Sequence, residues 1–152
     1  MIDRVDCHVH YQPSGFEQPR HIGPAGGMLG NPDSAARPGW TDLGELREVM
    51  DATGVDLGLI LTFPHHATPF RQASESVSDV IGRYNRKISE DLVARGADRF
   101  VGTATVHPLG GPDAIAQLER DLQLPLMRGI ALLTNYGDVT LDDPRFQTIF
   151  EL

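Results

Sequence analysis

Several residue types and patterns are scarce in this 152-residue chain, and each scarcity excludes a class of protein. Cys7 is the single cysteine, so an internal disulfide is impossible, which fits a reducing cytoplasm. No apolar run approaches the roughly 18 residues of a membrane helix. No basic start followed by an apolar stretch marks a secretory signal. These absences predict one globular, cytoplasmic domain over residues 1–152.

Basic residues are also in the minority. Asp and Glu outnumber Lys and Arg by 21 to 13, which gives a formal net charge of −8. This balance argues against nucleic acid or an anionic membrane as the main partner. The chain contains a single lysine, Lys87.

Strand-like and helix-like segments alternate four times along the chain. The predicted strands are 2–9, 55–63, 99–106 and 128–133, and the predicted helices are 41–54, 77–92, a segment opening at Pro112, and 142–152. Residues 11–40 contain five prolines and six glycines, which predicts a long loop.

The alternation of strands and helices predicts an α/β fold with a parallel sheet and right-handed crossovers. Two architectures fit this order: an open doubly wound sheet, or a (β/α)8 TIM barrel. A complete barrel takes about 250 residues. The four units therefore favour the first half of a barrel.

Two histidines stand two positions apart at the end of the first predicted strand, in "RVDCHVH" (4–10). Side chains alternate between the faces of a strand, so Asp6, His8 and His10 are expected on one face. Cys7 is expected on the other face, as a small buried packing residue. Imidazoles at this spacing can converge on one metal ion. The alternative is a pair of surface or capping histidines that fell at this spacing by chance.

The chain resembles the amidohydrolase superfamily, in particular the amino-terminal half of its family-2 branch, which includes aminocarboxymuconate semialdehyde decarboxylase and methylsalicylate-type decarboxylases. The resemblance is carried by "RVDCHVHYQP", "MDATGVDLGLILTFP", "YNRKISEDLVARGADRFVGTATVHPLG" and "RGIALLTNYGDVTLDDPRFQTIFEL". The loop at 11–40 lies outside it.

The resemblance implies that His8 and His10 are metal ligands, for Zn²⁺ or alternatively Mn²⁺. It also implies that the remaining ligands and the catalytic groups belong to the second half of a barrel. Some amidohydrolases bridge two metals through a lysine on strand four. The fourth strand, 128–133, has no lysine and Lys87 lies in a predicted helix, so a mononuclear site is expected.

The implied activity is a metal-dependent decarboxylase or hydrolase that acts on a small aromatic or unsaturated carboxylic acid. In the decarboxylase version, the metal chelates the substrate carboxylate, and a proton reaches the ring carbon before CO₂ leaves. In the hydrolase version, the metal lowers the pKa of bound water towards 7. Both versions remain open at this point.

Four residues that follow predicted strands are candidates for substrate binding. His65 follows strand two together with His66, His107 follows strand three, and Asn135 and Tyr136 follow strand four. The ends of parallel strands meet at the mouth of a barrel, where substrates bind. Each of the histidines has an alternative role as a loop, capping or solvated residue.

A non-catalytic interpretation also stands. The chain would then be a truncated half-barrel that binds a partner or completes a barrel by association. Half a barrel exposes one face and one edge of its sheet, which favours self-association. The expected partners are therefore a small carboxylic acid, and a second copy or a complementing second half.

Overall fold

The computed structural model describes residues 2–16, 42–136 and 138–152, without the side chains of His66 and Asn135. One parallel sheet has the order β1-β2-β3-β4, formed by β1 Val5–His10, β2 Leu57–Leu61, β3 Phe100–Thr105 and β4 Met127–Ala131. A doubly wound sheet reverses its order at a switch point, whereas consecutive parallel neighbours are the order of a barrel. The described strands thus form the amino-terminal part of a barrel, as predicted.

Helices follow the strands as the alternation predicted. They are α1 Leu43–Thr53, α2 Pro64–Ala67, α3 Val77–Arg95, α4 Gly111–Leu122 and α5 Gln147–Phe150. The short α2 was not predicted, and the predicted last helix is divided between a 3-10 turn, Pro144–Phe146, and α5. None of the helices in the described ranges is long and apolar enough to cross a membrane.

The segment after β4 is a small hairpin and not a simple turn. The strands β5 Asn135–Tyr136 and β6 Val139–Thr140 pair antiparallel to each other. The predicted loop at 11–40 lies mostly outside the described residues. Its described part, 11–16, contains no helix or strand.

The helix ends follow from local side chains. The Asp42 carboxylate accepts a hydrogen bond from the Gly44 N–H and caps α1. Gly54 ends that helix with φ of +69°, a left-handed conformation that favours glycine. In α3, Ser76 and Asp79 cap each other's backbone N–H groups in a capping box.

One face of the sheet packs closely against the helices. A Cβ on Gly102 of β3 would lie 2.8 Å from the Met127 Sδ and 3.1 Å from the Leu92 side chain of α3. Ile60 of β2 and Ile88 of α3 are fully buried in this layer. Because only a residue without a side chain allows so close an approach, Gly102 sets the distance between α3 and the sheet.

The opposite face of the sheet, here called the inner face, is apolar and incompletely covered. It is formed by Leu57, Leu59 and Leu61, which alternate with the helix-facing Gly58 and Ile60, and by Val101 opposite Leu59. All four side chains are half-buried. The described part of the chain therefore buries one face of its sheet and leaves the other partly open.

Cys7 is exposed, which corrects the prediction that it is a buried packing residue. Among the described strands, β1 lies at the edge of the sheet, with β2 on one side only. The prediction assumed that side chains alternate regularly between the two faces of β1 and that helices cover one of these faces. The pairing of β1 with β2 is irregular between Asp6 and Val9, so Val9 is buried and Cys7 is not.

A buried amide joins α3, α4 and the end of β3. The Asn85 side chain donates to the Thr105 carbonyl and to the Asp121 carboxylate, and it accepts from the Thr105 N–H. Gln117 donates to the second oxygen of Asp121. Burial is the main cause that raises the pKa of Asp121, and the two amide donors oppose it. Asn85 thus satisfies two backbone groups at the exit of a strand.

We expect Asn85→Ala to lower the free energy of unfolding by about 3 kcal/mol, because it leaves buried backbone groups and a carboxylate without a partner. Urea unfolding measures the change. Arg86→Ala is the matched control, since Arg86 is the exposed neighbour on the same helix, and it should change the value by less than about 0.5 kcal/mol. Equal urea midpoints for Asn85→Ala and Arg86→Ala would contradict this role of Asn85.

Candidate metal centre

The two histidines of β1 converge at the carboxyl end of the sheet. The His8 Nε2 and His10 Nε2 atoms lie 3.0 Å apart. The two rings meet edge to face, with centroids 4.8 Å apart and an interplanar angle of 79°. His8 is exposed and His10 is half-buried. The predicted pair is therefore brought together, with one nitrogen of each ring facing the same point.

This separation fits two ligands of one metal ion. With metal–nitrogen bonds of about 2.1 Å, nitrogens 3.0 Å apart subtend an angle of about 90° at the ion. That angle corresponds to neighbouring positions of an octahedron, whereas a tetrahedral angle requires a separation of about 3.4 Å. The pair thus fits a divalent cation with adjacent imidazole ligands.

The described residues hold only this part of a ligand set. No group of three or more His, Cys, Asp or Glu side chains that could hold a metal occurs within the described ranges. A catalytic metal site usually has three protein ligands and an open position. As ligands, His8 and His10 would accordingly be two members of a set that needs others.

Asp6 has a local role beside the pair. Its Oδ1 accepts a hydrogen bond of 2.9 Å from the His8 backbone N–H. The irregular register lies at this point, since Asp6 is opposite Gly58 and Val9 is opposite Ile60. Side chains therefore do not alternate strictly between Asp6 and Val9, and the prediction that Asp6 shares a face with the two histidines assumed that they do. The Asp6 carboxylate instead stabilises the backbone where the register is irregular.

Phe63 and His65 extend the histidine pair to the exit of β2. The His65 ring stacks on Phe63 with centroids 5.7 Å apart and an interplanar angle of 7°. Phe63 also lies 6.1 Å from the His10 ring, centroid to centroid. The predicted candidate His65 is thus part of the same cluster as His10. Phe63 was not predicted as a site residue, and its position directly after an apolar strand was the available signal.

Burial and like charge favour the neutral form of these rings. The pKa of His10 is lowered from its ordinary value of 6.5, first by burial and then by the neighbouring His8 and His65. Burial also lowers the pKa of His65. Neutral imidazole is the form that can bind a metal ion, and the surroundings of His10 favour that form.

A second group of predicted residues lies at the exits of β3 and β4. The His107 and Tyr136 rings lie 6.0 Å apart, and Tyr136 lies 5.8 Å from the buried Phe146. The Tyr136 hydroxyl accepts a hydrogen bond of 3.1 Å from the Leu133 N–H. Burial raises the pKa of Tyr136. The backbone of Asn135 pairs with Thr140 in the hairpin, and its side chain lies outside the described atoms.

The chain belongs to the amidohydrolase family, whose model matches residues 5–152. No curated protein is matched by the sequence. The match spans all of β1 to β4 and includes both histidines of the pair. The family resemblance that the sequence analysis described is confirmed.

Solved structures share the fold. 5-Carboxyvanillate decarboxylase from Novosphingobium aromaticivorans, with bound manganese and 3-methoxy-4-hydroxy-5-nitrobenzoic acid, matches with a TM-score of 0.71 and 21% identity over 97% of this chain. 2,6-Dihydroxybenzoate decarboxylase from Rhizobium matches with a TM-score of 0.64 and 20% identity over 99% of this chain. The chain covers 47% and 46% of these proteins, which is less than half of each.

We expect the His10 ring to titrate below pH 6.5 in an NMR experiment, and His8→Ala to raise its pKa part of the way, because burial remains. Cys7→Ser, which changes the exposed neighbour on the strand, should leave it unchanged. The lowered pKa means that the stability contributed by neutral His10 is present above pH 6.5 and lost as the pH falls. Identical His10 titrations in wild type and His8→Ala would refute this electrostatic coupling.

Proposed function

We propose that this chain carries part of the active site of a metal-dependent decarboxylase that acts on a small aromatic carboxylic acid. The observation that carries the proposal is the 3.0 Å separation of the His8 and His10 Nε2 atoms at the carboxyl end of the sheet. Family membership supports it, as do two structural neighbours that are decarboxylases of substituted benzoates. A cytoplasmic location fits the single, exposed thiol.

In this proposal His8 and His10 bind the cation through Nε2. A divalent cation held there would supply positive charge that orients the substrate carboxylate and a neighbouring oxygen. Phe63 and the stacked His65 form a wall beside His10 that excludes water from one side of the substrate. The Tyr136 and His107 rings offer a surface for an aromatic acid at the exits of β3 and β4.

The proposed cofactor is a divalent ion, Zn²⁺ or alternatively Mn²⁺. The manganese bound to 5-carboxyvanillate decarboxylase agrees with this assignment.

The function is tested by adding Mn²⁺ and carboxyl-labelled 2,6-dihydroxybenzoate to the purified chain. We expect stoichiometric Mn²⁺ binding by calorimetry, and release of labelled CO₂ once a second copy or a complementing second half supplies the missing groups. Both should be lost in His8→Ala, because one ligand is removed. Cys7→Ser should retain both, since a thiol beside the pair is no preferred ligand of Mn²⁺.

Each other outcome has a definite meaning. Stoichiometric Mn²⁺ binding without CO₂ release from any ortho-hydroxybenzoate by the completed barrel would overturn the decarboxylase proposal and favour a metal-binding module. Hydrolysis of an aryl ester or amide by the same sample would favour the hydrolase version.

A second proposal concerns partners, and the inner face carries it. Leu57, Leu59 and Leu61 are half-buried on a face that no described helix covers, and Val5 at the edge of the sheet is 49% exposed. Apolar sheet faces with unpaired edges associate. We therefore propose that a second copy of the chain, or a complementing second half of the barrel, covers this face.

We expect light scattering to give a mass above the 16.6 kDa of one chain. Leu59→Glu should reduce the mass to that of the monomer, because it places a charge on the inner face. Val93→Glu is the control, since Val93 is 52% exposed on α3 and lies away from that face. A monomeric wild type at micromolar concentration, or equal masses for both variants, would contradict self-association.

A further inference from the structure

The residue after the histidine pair is anchored in the helix layer. Tyr11 follows His10 directly and is 1% exposed. Its hydroxyl donates a hydrogen bond of 2.8 Å to the Asp91 Oδ2 of α3 and accepts one of 2.8 Å from the Arg95 Nη2. Both bonding capacities of the phenol are thus used by one helix.

The partner carboxylate is itself fixed. The Lys87 ammonium, from the only lysine of the chain, donates a hydrogen bond of 3.0 Å to the other oxygen of Asp91. Asp91 is 6% exposed, and Arg95 stands 3.6 Å from the oxygen that Tyr11 contacts. A buried carboxylate held by two cations is a rigid acceptor, because each of its oxygens is engaged.

The backbone of Tyr11 is held from the same helix. The Tyr84 hydroxyl donates a hydrogen bond of 3.5 Å to the Tyr11 carbonyl. Tyr84 and Asp91 lie seven residues apart, which is two turns on one side of α3. The peptide after His10 therefore has a fixed position relative to α3.

This anchor acts where the sheet gives little support. Among the described strands β1 pairs only with β2, and its last pair is His10 opposite Leu61. The 3.0 Å spacing of the two Nε2 atoms requires a fixed backbone, because a shift of one ångström at the strand end would separate them.

We propose that Tyr11 is a positioning residue for the histidine pair, and that its bonds to Asp91 and Arg95 hold His10 in the metal-binding position. The inference rests on the proposed metal site. Tyr11 lies within the helix layer, where its hydroxyl bonds to Asp91 and Arg95, and we assign it no direct contact with the cation or the substrate. It acts through the peptide that it shares with His10.

The test compares Mn²⁺ affinity by calorimetry in Tyr11→Phe and Ser89→Ala. Tyr11→Phe keeps the ring in the core and removes only the hydroxyl. Ser89→Ala removes another buried hydroxyl of α3, one that donates to the Pro125 carbonyl at 2.7 Å. We expect both to lose thermal stability, and only Tyr11→Phe to lose Mn²⁺ affinity, by about tenfold or more, as for other groups that orient a metal ligand.

A milder pair of variants covers the case in which Tyr11→Phe does not fold. The Arg95 side chain is 49% exposed, so Arg95→Ala should fold and still remove one bond to the phenol. It should lower Mn²⁺ affinity about threefold, while Arg86→Ala on the same helix should not.

Three results are decisive. Folded Tyr11→Phe or Arg95→Ala could bind Mn²⁺ as tightly as the wild type while His8→Ala does not bind it. This result would overturn the role of Tyr11 and would still support the metal site. An equal loss in Tyr11→Phe and Ser89→Ala would also overturn it, because a general loss of stability would then explain the effect. Absence of Mn²⁺ binding in the wild type would overturn the metal site and this inference together.

Discussion

Parallel pairing between β1 and β2 is the constraint on which the histidine pair depends. The register sets Val9 opposite Ile60 and His10 opposite Leu61, so both strands leave the sheet at the same edge. Val9 is buried against the helices, and because side chains alternate, His10 faces the other way. A slip of one residue would exchange the two faces and bury an imidazole in the helix layer. The burial of Val9 therefore fixes the direction of the His10 ring.

Helix α3 is the common support for two strand ends. Asp91 holds Tyr11 at the exit of β1, and Asn85 holds Thr105 at the exit of β3. The same helix packs directly over β3 at Gly102, where no side chain intervenes. The end of β1, which carries His8 and His10, and the end of β3, which precedes His107, are thus positioned from one rigid element.

Features set by neighbouring residues could be predicted from the sequence, and features set by distant residues could not. The period of α3 and the spacing of His8 and His10 are local patterns, and both are present in the structure. The exposure of Cys7 depends on β1 lying at an edge and on an irregular register, which alternation alone does not reveal. The anchoring of Tyr11 could not be predicted, because its partner, Asp91, stands 80 residues further along the chain. Local periodicity carries no information on such a pairing.

The central claim is that the two imidazoles of β1 share one cation. Anomalous diffraction at the manganese edge, from crystals of the chain grown with Mn²⁺, locates the ion relative to each ring. The account predicts a single peak about 2.1 to 2.2 Å from both Nε2 atoms. A manganese peak at other side chains would contradict the shared cation. So would a structure without a peak in which the two rings point away from each other.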